Sequence, residues 1–252
     1  MEYILSEKNK LILQEYADNN TLFAFDFDGT LAPITDFADQ ACLSEEIALA
    51  MNKLSLIAPV AIITGRSIAD LKSKISFKPA FIVGNHGVEN EDTELTVKEP
   101  SRDIENWLLY IQENYSDRFD ELGIELENKM YSLSLHFRRS PKKIDAEMIC
   151  MEIASRLNNA KIIQGKMVVN IVPSTSENKG DSFLRLLSRG NFQRGFYVGD
   201  DVTDEDVFKL GLKNVLTVKI ESLESSKANF YLKHQSEIIK LLEIILKKLP
   251  KR

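Results

Sequence analysis

The sequence predicts an α/β protein, a Rossmann-like parallel-sheet core interrupted by an inserted, smaller α+β domain. Three observations carry this expectation. Short apolar runs alternate with helical patterns; the periodicity changes through the middle third and then reverts; and two acidic strings, "DFDGTL" and "GDDVTDED", each follow an apolar run.

The runs Leu22–Phe27, Val60–Thr64, Ala80–Gly84, Phe196–Gly199 and Asn214–Val218 are short and apolar-rich, as strands covered on both faces should be. That favours parallel pairing. Between them, Ser44 is a cap for a helix whose first turn holds Glu45 and Glu46 and whose inner face carries Ile47, Met51 and Leu54. A further helix spans Ser182–Ser188 and is closed by Gly190. In the middle third, Ile104, Trp107, Leu108 and Ile111 form a helical stripe, followed by an alternating strand in "YSLSLHFR", a helix over 144–157 and a strand in "MVVNIV". The expected boundaries are therefore 1–98 and 174–252 for the core and 99–173 for the insertion, with crossings at Glu99–Pro100 and Pro173–Ser174. The C-terminal segment from His234 reads as a closing helix whose basic end suits the macrodipole.

A chain of 252 residues, 44% hydrophobic, can bury a sizeable core. Its net charge of -6 argues against general affinity for nucleic acid or anionic membranes, which needs surplus Lys and Arg. The first twenty residues are charged throughout, and no apolar run approaches the roughly 18 residues of a membrane span, so the expected location is cytoplasmic. Cys42 and Cys150 lack the spacing of a disulfide framework or a zinc site and are expected to be small core residues.

Ligands of open α/β sheets bind outside the carboxyl ends of the strands, where "DFDGTL" places Asp26 and Asp28. Two close carboxylates are tolerable beside a divalent cation, and hard oxygen ligands with Gly29 easing the turn suit Mg²⁺. One carboxylate could attack phosphorus while the other exchanges a proton with the leaving oxygen. An EF-hand does not fit, because the glycine comes one residue after the second aspartate and Phe37 occupies the closing glutamate position. Asp200 and Asp201 end a second strand where another metal ligand is needed, whereas Glu205 and Asp206 are explained by the dipole of the helix they open. "ITGRS" sets Thr64 and nearby backbone N–H groups, including that of Gly65, at a helix start that can hold phosphate oxygens. "SENKG" places Lys179 at the start of another helix, a positive charge for a phosphoryl group and for the nucleophile. Each short string is weak alone; their order along the chain is the informative feature.

The order DxDGT, TGR, Lys, GDD resembles that of haloacid dehalogenase superfamily phosphatases over nearly the whole chain. Within that superfamily "DFDGTLAPI", "TGRS", "GNHGVE", "LENKMYSLSLHFR" and above all "YVGDDVTDEDVF" resemble trehalose-6-phosphate phosphatases. The resemblance implies that Asp26 is the nucleophile, that Asp28 is the general acid and base, and that Thr64 and Lys179 bind the transferring phosphoryl group. It implies Mg²⁺ held by Asp26, the Asp28 backbone carbonyl and Asp200, with Asp201 supporting Lys179 or the metal's waters and Asp204 ordering the loop. The insertion would be the family's cap, closing over the site and reading the sugar, with Glu127 and Lys129, spaced to share one side of a strand, matching a cap pair; an exposed cross-strand ion pair is the other reading. Trehalose-6-phosphate synthase would be the functional partner in trehalose biosynthesis.

Other residues stay open between two readings. Arg66 either holds an anion or caps a helix, His86 either lines the crevice or is a turn histidine satisfied by backbone, and His136 lies on the polar face of its strand. Asn170 stands where the family commonly has a glutamate that contacts the sugar. It is either a weaker or altered sugar contact or a solvent-facing residue. A glycosylglycerate phosphate or sucrose phosphate would keep the chemistry and change the sugar, and a catalytically silent sugar-phosphate-binding domain is the alternative from another class. A phosphomutase would need a second basic cluster, which the inserted segment lacks.

Overall fold

The computed structural model describes residues 1–35, 37–90 and 102–249. The chain divides into two compact units, Met1–Asp92 with Glu177–Arg252, and Thr93–Ser176. The crossing expected at Glu99–Pro100 lies outside the described residues. At the return, Ser174 N–H donates to Asn159 O at 2.8 Å and Ser176 N–H to Pro173 O at 2.9 Å, which ties these residues to the second unit.

Strands β1 (Glu2–Tyr3), β2 (Thr21–Phe25), β3 (Val60–Ile63), β4 (Phe81–Gly84) and β5 (Glu89–Asn90) precede the second unit's elements. Within that unit lie β6 (Glu125–Asn128), β7 (Leu133–His136), β8 (Ala160–Gly165) and β9 (Val168–Pro173), and after it β10 (Arg194–Gly199), β11 (Val215–Ile220) and β12 (Phe230–Leu232). The first unit's sheet runs β1-β12-β11-β10-β2-β3-β4-β5. All neighbours pair in parallel except β4 with β5. The chain leaves β2 towards β3 on one side and later fills β10 on the other, so the strand order reverses between β2 and β10. That reversal opens a crevice at their carboxyl ends.

Alternate side chains of the central strands enter two separate cores. Phe23, Phe25, Val60, Ile62, Phe196 and Val198 join one, with residues of α1 (Glu7–Tyr16), α2 (Glu45–Ile57), α3 (Ile68–Lys74) and α8 (Ile238–Lys248). Leu22, Ala24, Ala61, Ile63 and Tyr197 join the other, with α6 (Lys179–Arg189) and α7 (Glu205–Phe208). Burial on both faces is why these strands read as continuous apolar runs, and each enclosed Phe contributes roughly 1.5–3 kcal/mol. Ser44 caps α2 by accepting from Ile47 N–H at 3.3 Å. The helix closed at Gly190 starts at Lys179, the helix start read from "SENKG", where Asn178 and Asp181 form a reciprocal capping box.

The second unit pairs β6-β7-β9-β8 antiparallel. α4 (Arg102–Leu122) and α5 (Lys143–Arg156) supply Trp107, Ile111, Cys150 and Ile153 to a core shared with Leu133, Leu135, Val169 and Ile171. Among the described residues no helix is long and apolar enough to cross a membrane.

One expectation is corrected. Cys150 is buried in this core, but Cys42 is exposed, because it lies between a short 3₁₀ turn (Ala38–Gln40) and the start of α2 rather than on an inward helical face. Burial pushes the Cys150 thiol up to about 12, which leaves almost no reactive thiolate. A disulfide reagent should therefore titrate one thiol promptly in the native protein and the second only in denaturant, and Cys42→Ser should remove the prompt phase. Two prompt thiols would contradict this packing.

Candidate active site

Asp26 follows β2 directly, and its N–H donates to Val198 O of β10 at 2.9 Å. This bond sets a carboxylate at the reversal of strand order, where Asp26 is only 4% exposed. Asp28 is two residues further on with a more open side chain, and Gly29 turns the chain at φ 80°. A Cβ at Gly29 would overlap the Asp200 carboxylate, so this glycine permits the loops after β2 and β10 to approach each other.

Lys179, the first residue of α6, reaches into this space. Its Nζ donates to Asp26 Oδ1 and to Asp204 Oδ1, both at 2.8 Å. Asp204 is wholly buried and accepts at both oxygens: Tyr197 Oη–H also donates to Oδ1 at 2.6 Å, and the N–H groups of Asp200 and Asp201 donate to Oδ2 at 2.9 Å. Of the two roles expected of Asp201, support of Lys179 falls to Asp204. In the tight 3₁₀ turn Val202–Asp204, the backbone of Asp201 folds back onto the Asp204 carboxylate, which points inward at the lysine. A Cβ at Gly199 would collide with that carboxylate.

The electrostatics follow from this crowding. Burial pushes Asp26 well above the ordinary carboxylate range; Lys179 pulls it down, while Asp204 and Asp200 push it up again. Burial alone would lower Lys179, but the Asp204 and Asp26 carboxylates more than reverse this and hold it protonated. Burial and the Asp204 carboxylate likewise keep the Tyr197 phenol protonated.

Asp26, Asp200 and Asp204 each offer an oxygen within 4.8 Å of the others, an all-carboxylate set of the kind hard divalent cations take. The four hydrogen bonds of Asp204 commit it to the protein, so Asp26 and Asp200 are the carboxylates that suit a cation. A positive ion there would offset the repulsion that raises Asp26. Lys219, at the end of β11, fixes the same loop by donating to Asp200 O at 2.7 Å and lies over the Phe208 ring at 5.9 Å.

Thr64 is fully buried after β3, and its Oγ1 accepts from Arg66 N–H at 3.2 Å, leaving the hydroxyl proton to donate. The "GNHGVE" string braces this corner. Asn85 N–H donates to Arg66 O and His86 N–H to Thr64 O, at 2.8 and 3.0 Å. Glu89 Oε2 accepts from Ile68 N–H at the start of α3 and from Asn85 Nδ2. The His86 ring lies against Gly65, where a Cβ would overlap it. Ser67 is the cap of α3. The Arg66 guanidinium pairs with Asp28 and Asp70.

In the second unit, Glu127, Ser134, Asn170 and Ile163 are in register across four strands. Glu127 accepts a hydrogen bond shared with His136 Nε2 at 2.8 Å and lies 3.6 Å from Lys129 Nζ. Burial would raise Glu127, yet His136 and Lys129 hold it below its ordinary range. Lys129 follows β6 rather than lying in it, its N–H donating to Ser132 O in the turn. Asn170 is 5% exposed, which excludes the solvent-facing alternative. Its Oδ1 accepts from Ser134 Oγ–H at 2.7 Å and its Nδ2 donates to Ile163 O at 3.3 Å.

A family model for trehalose-phosphatase matches residues 24–236, a span that includes each of these features. The chain belongs to the trehalose-phosphatase family. Probable trehalose-phosphate phosphatase J of Arabidopsis thaliana is 30% identical over 79% of this chain and 59% of its own length. Trehalose-phosphate phosphatase of Mycobacterium marinum is 28% identical over 73% of this chain and 50% of its own. The chain thus spans between half and about three fifths of these relatives' lengths. The solved C-terminal domain of Candida albicans trehalose-6-phosphate phosphatase superposes with a TM-score of 0.78, covering 96% of this chain and 97% of that one at 22% identity. That likeness concerns the fold.

Sequence reasoning missed Tyr197, Lys219, Asp70 and the second role of Asp204 in this family member. Tyr197 reads as one more apolar strand residue, whereas a lysine ending the run "VLTVKI" was a usable signal. Glu205, assigned to the helix dipole, is buried and accepts from Lys227 N–H at 3.0 Å. Asp204→Asn turns an amide N–H₂ towards donors and strips Lys179 of a charge, so it should cost about 3–5 kcal/mol of stability, the range for breaking a buried pair. Tyr197→Phe should cost less, about 1.5–3 kcal/mol for a bond to a charged group. Urea unfolding measures both, and an Asp204→Asn loss no larger than that of Tyr197→Phe would contradict the four-bond arrangement.

Proposed function

We propose that this chain hydrolyses trehalose 6-phosphate to trehalose and phosphate through an aspartyl-phosphate on Asp26. The observation that carries the reading is the buried Asp26–Lys179 pair at the reversal of strand order, within a chain of the trehalose-phosphatase family. An Asp26 oxygen attacks phosphorus as the bond to the sugar oxygen breaks, and Asp28 gives that oxygen its proton. Asp28 then takes a proton from water, whose oxygen attacks phosphorus and releases phosphate and the free Asp26 carboxylate. Lys179 and the Thr64 hydroxyl hold the phosphoryl oxygens while charge shifts. Asp26, Asp200 and the Asp28 backbone carbonyl would hold Mg²⁺, which supplies positive charge to the phosphoryl group when bound.

Glu127, Lys129 and Asn170 of the inserted unit are the sugar-reading residues in this proposal. Trehalose-6-phosphate synthase is the functional partner that supplies the substrate. A second reading keeps the chemistry and changes the sugar, and Asn170 favours it. A neutral amide already bonded to Ser134 and Ile163 replaces a charged acceptor, so its hydrogen bonds to hydroxyls are weaker than charge-assisted ones.

Phosphate release across trehalose 6-phosphate, sucrose phosphate, a glycosylglycerate phosphate and an aryl phosphate, with and without Mg²⁺, tests both readings. The expected result is the highest kcat/KM on trehalose 6-phosphate, silence in excess EDTA, recovery with Mg²⁺ and none with Ca²⁺, which prefers a larger and looser shell. A folded Asp26→Asn should be inactive on every substrate. Activity in that variant would sink the nucleophile assignment, and a clear preference for another sugar phosphate would transfer the proposal to it.

A further inference from the structure

Arg66 is far more constrained than an arginine waiting for a substrate phosphate would be. Its guanidinium is buried, with the side chain 9% exposed, and lies over the Phe27 ring at 5.4 Å. One edge meets Asp28 in a fork: Nε donates to Oδ2 and Nη2 to Oδ1, both at 2.7 Å. On the other side Nη1 donates to Asp70 Oδ2 at 2.5 Å. The backbone is equally fixed, by Arg66 N–H to Thr64 Oγ1 and Asn85 N–H to Arg66 O. A planar donor fork matches a carboxylate in two parallel bonds and thereby sets both its position and its plane.

We propose that Arg66 is a positioning residue for Asp28, holding the carboxylate's plane and reach for proton transfer, with Asp70 in turn orienting the guanidinium. This rests on Asp28 being the acid and base of the proposed reaction. Asp28 is on the more exposed side of the site, its side chain 41% exposed, where a rotamer needs a partner to restrain it. The fork supplies that restraint across 38 residues of sequence. Arg66, Asp28 and Asp70 also explain the short "TGRSIAD" string: the arginine on the turn and the aspartate four residues later in α3 face each other on one side of the helix start.

The test compares kcat/KM, which covers the steps through leaving-group departure, on a sugar phosphate and on p-nitrophenyl phosphate. Departure of nitrophenolate needs little protonation. Arg66→Ala should lower kcat/KM for the sugar phosphate by about ten- to a hundredfold, with a much smaller loss on the aryl phosphate, since misplaced catalytic groups cost up to about a hundredfold. KM should stay within about twofold on both. Arg66→Lys keeps the charge but not the fork and should show the same pattern more mildly; Asp70→Asn should be milder still. In an Asp28→Asn background, Arg66→Ala should add little, because its effect passes through the missing carboxylate.

Equal losses of Arg66→Ala on both substrates, or a large rise in KM on both, would make Arg66 a phosphate contact and overturn the proposal. So would full additivity with Asp28→Asn. If Arg66→Ala fails to fold by circular dichroism, the Arg66→Lys series decides by the same criteria. Asp28→Asn alone separates the two claims: equal defects on both substrates would sink the acid assignment itself. A selective Asp28 defect with uniform Arg66 defects would sink only the positioning role.

Discussion

A single buried carboxylate holds this site together. Asp204 accepts from Lys179, Tyr197, and the backbone N–H groups of Asp200 and Asp201. Those donors come from a helix start, a central strand and the loop that carries the second acidic string. The elements are therefore referenced to one another through one side chain, and Lys179 reaches Asp26 from a fixed point. A carboxyl group in a dry interior is tolerated only when its acceptor capacity is filled, and here each oxygen accepts two hydrogen bonds. The small residue at Gly199 gives the carboxylate its space.

Around that anchor, charge is in excess by design of the topology. The reversal between β2 and β10 brings Asp26 and Asp200 together because both follow adjacent parallel strands, and parallel strands end on the same side of the sheet. Lys179 offsets only part of the negative charge shared by Asp26, Asp200 and Asp204. The remainder is an electrostatic demand for a cation, and it adds to the burial that raises the Asp26 carboxyl. The same grouping suits the proposed chemistry, in which Lys179 and a cation together offset the carboxylates and the incoming phosphoryl oxygens.

The second unit solves a different packing problem. Its sheet buries Leu133, Leu135, Val169 and Ile171 against two helices, so the alternate residues Glu127, Ser134 and Asn170 share the other face. Polar groups are bonded along that face, Glu127 with His136 and Ser134 with Asn170. The row is consequently preorganised rather than floppy, which is what a surface proposed to read sugar hydroxyls requires.

The sequence by itself determined the α/β class, the parallel core strands and the chain order of Asp26, Asp28, Thr64, Lys179 and Asp200. Two-sided burial writes itself as an apolar run, and strand-end chemistry as a polar string immediately after it. Local composition carries both. Tertiary structure alone decided that Lys179 takes Asp204 rather than Asp201, that Arg66 grips Asp28, that Tyr197 hides a polar handle in an apolar strand, and that Cys42 faces solvent. The Asp28–Arg66 and Asp26–Lys179 pairs join residues 38 and 153 positions apart. Which side chains meet across such separations depends on which strands are neighbours, on their register and on the tightness of each turn. No single segment contains that information, because it arises only when the parallel strands align their ends.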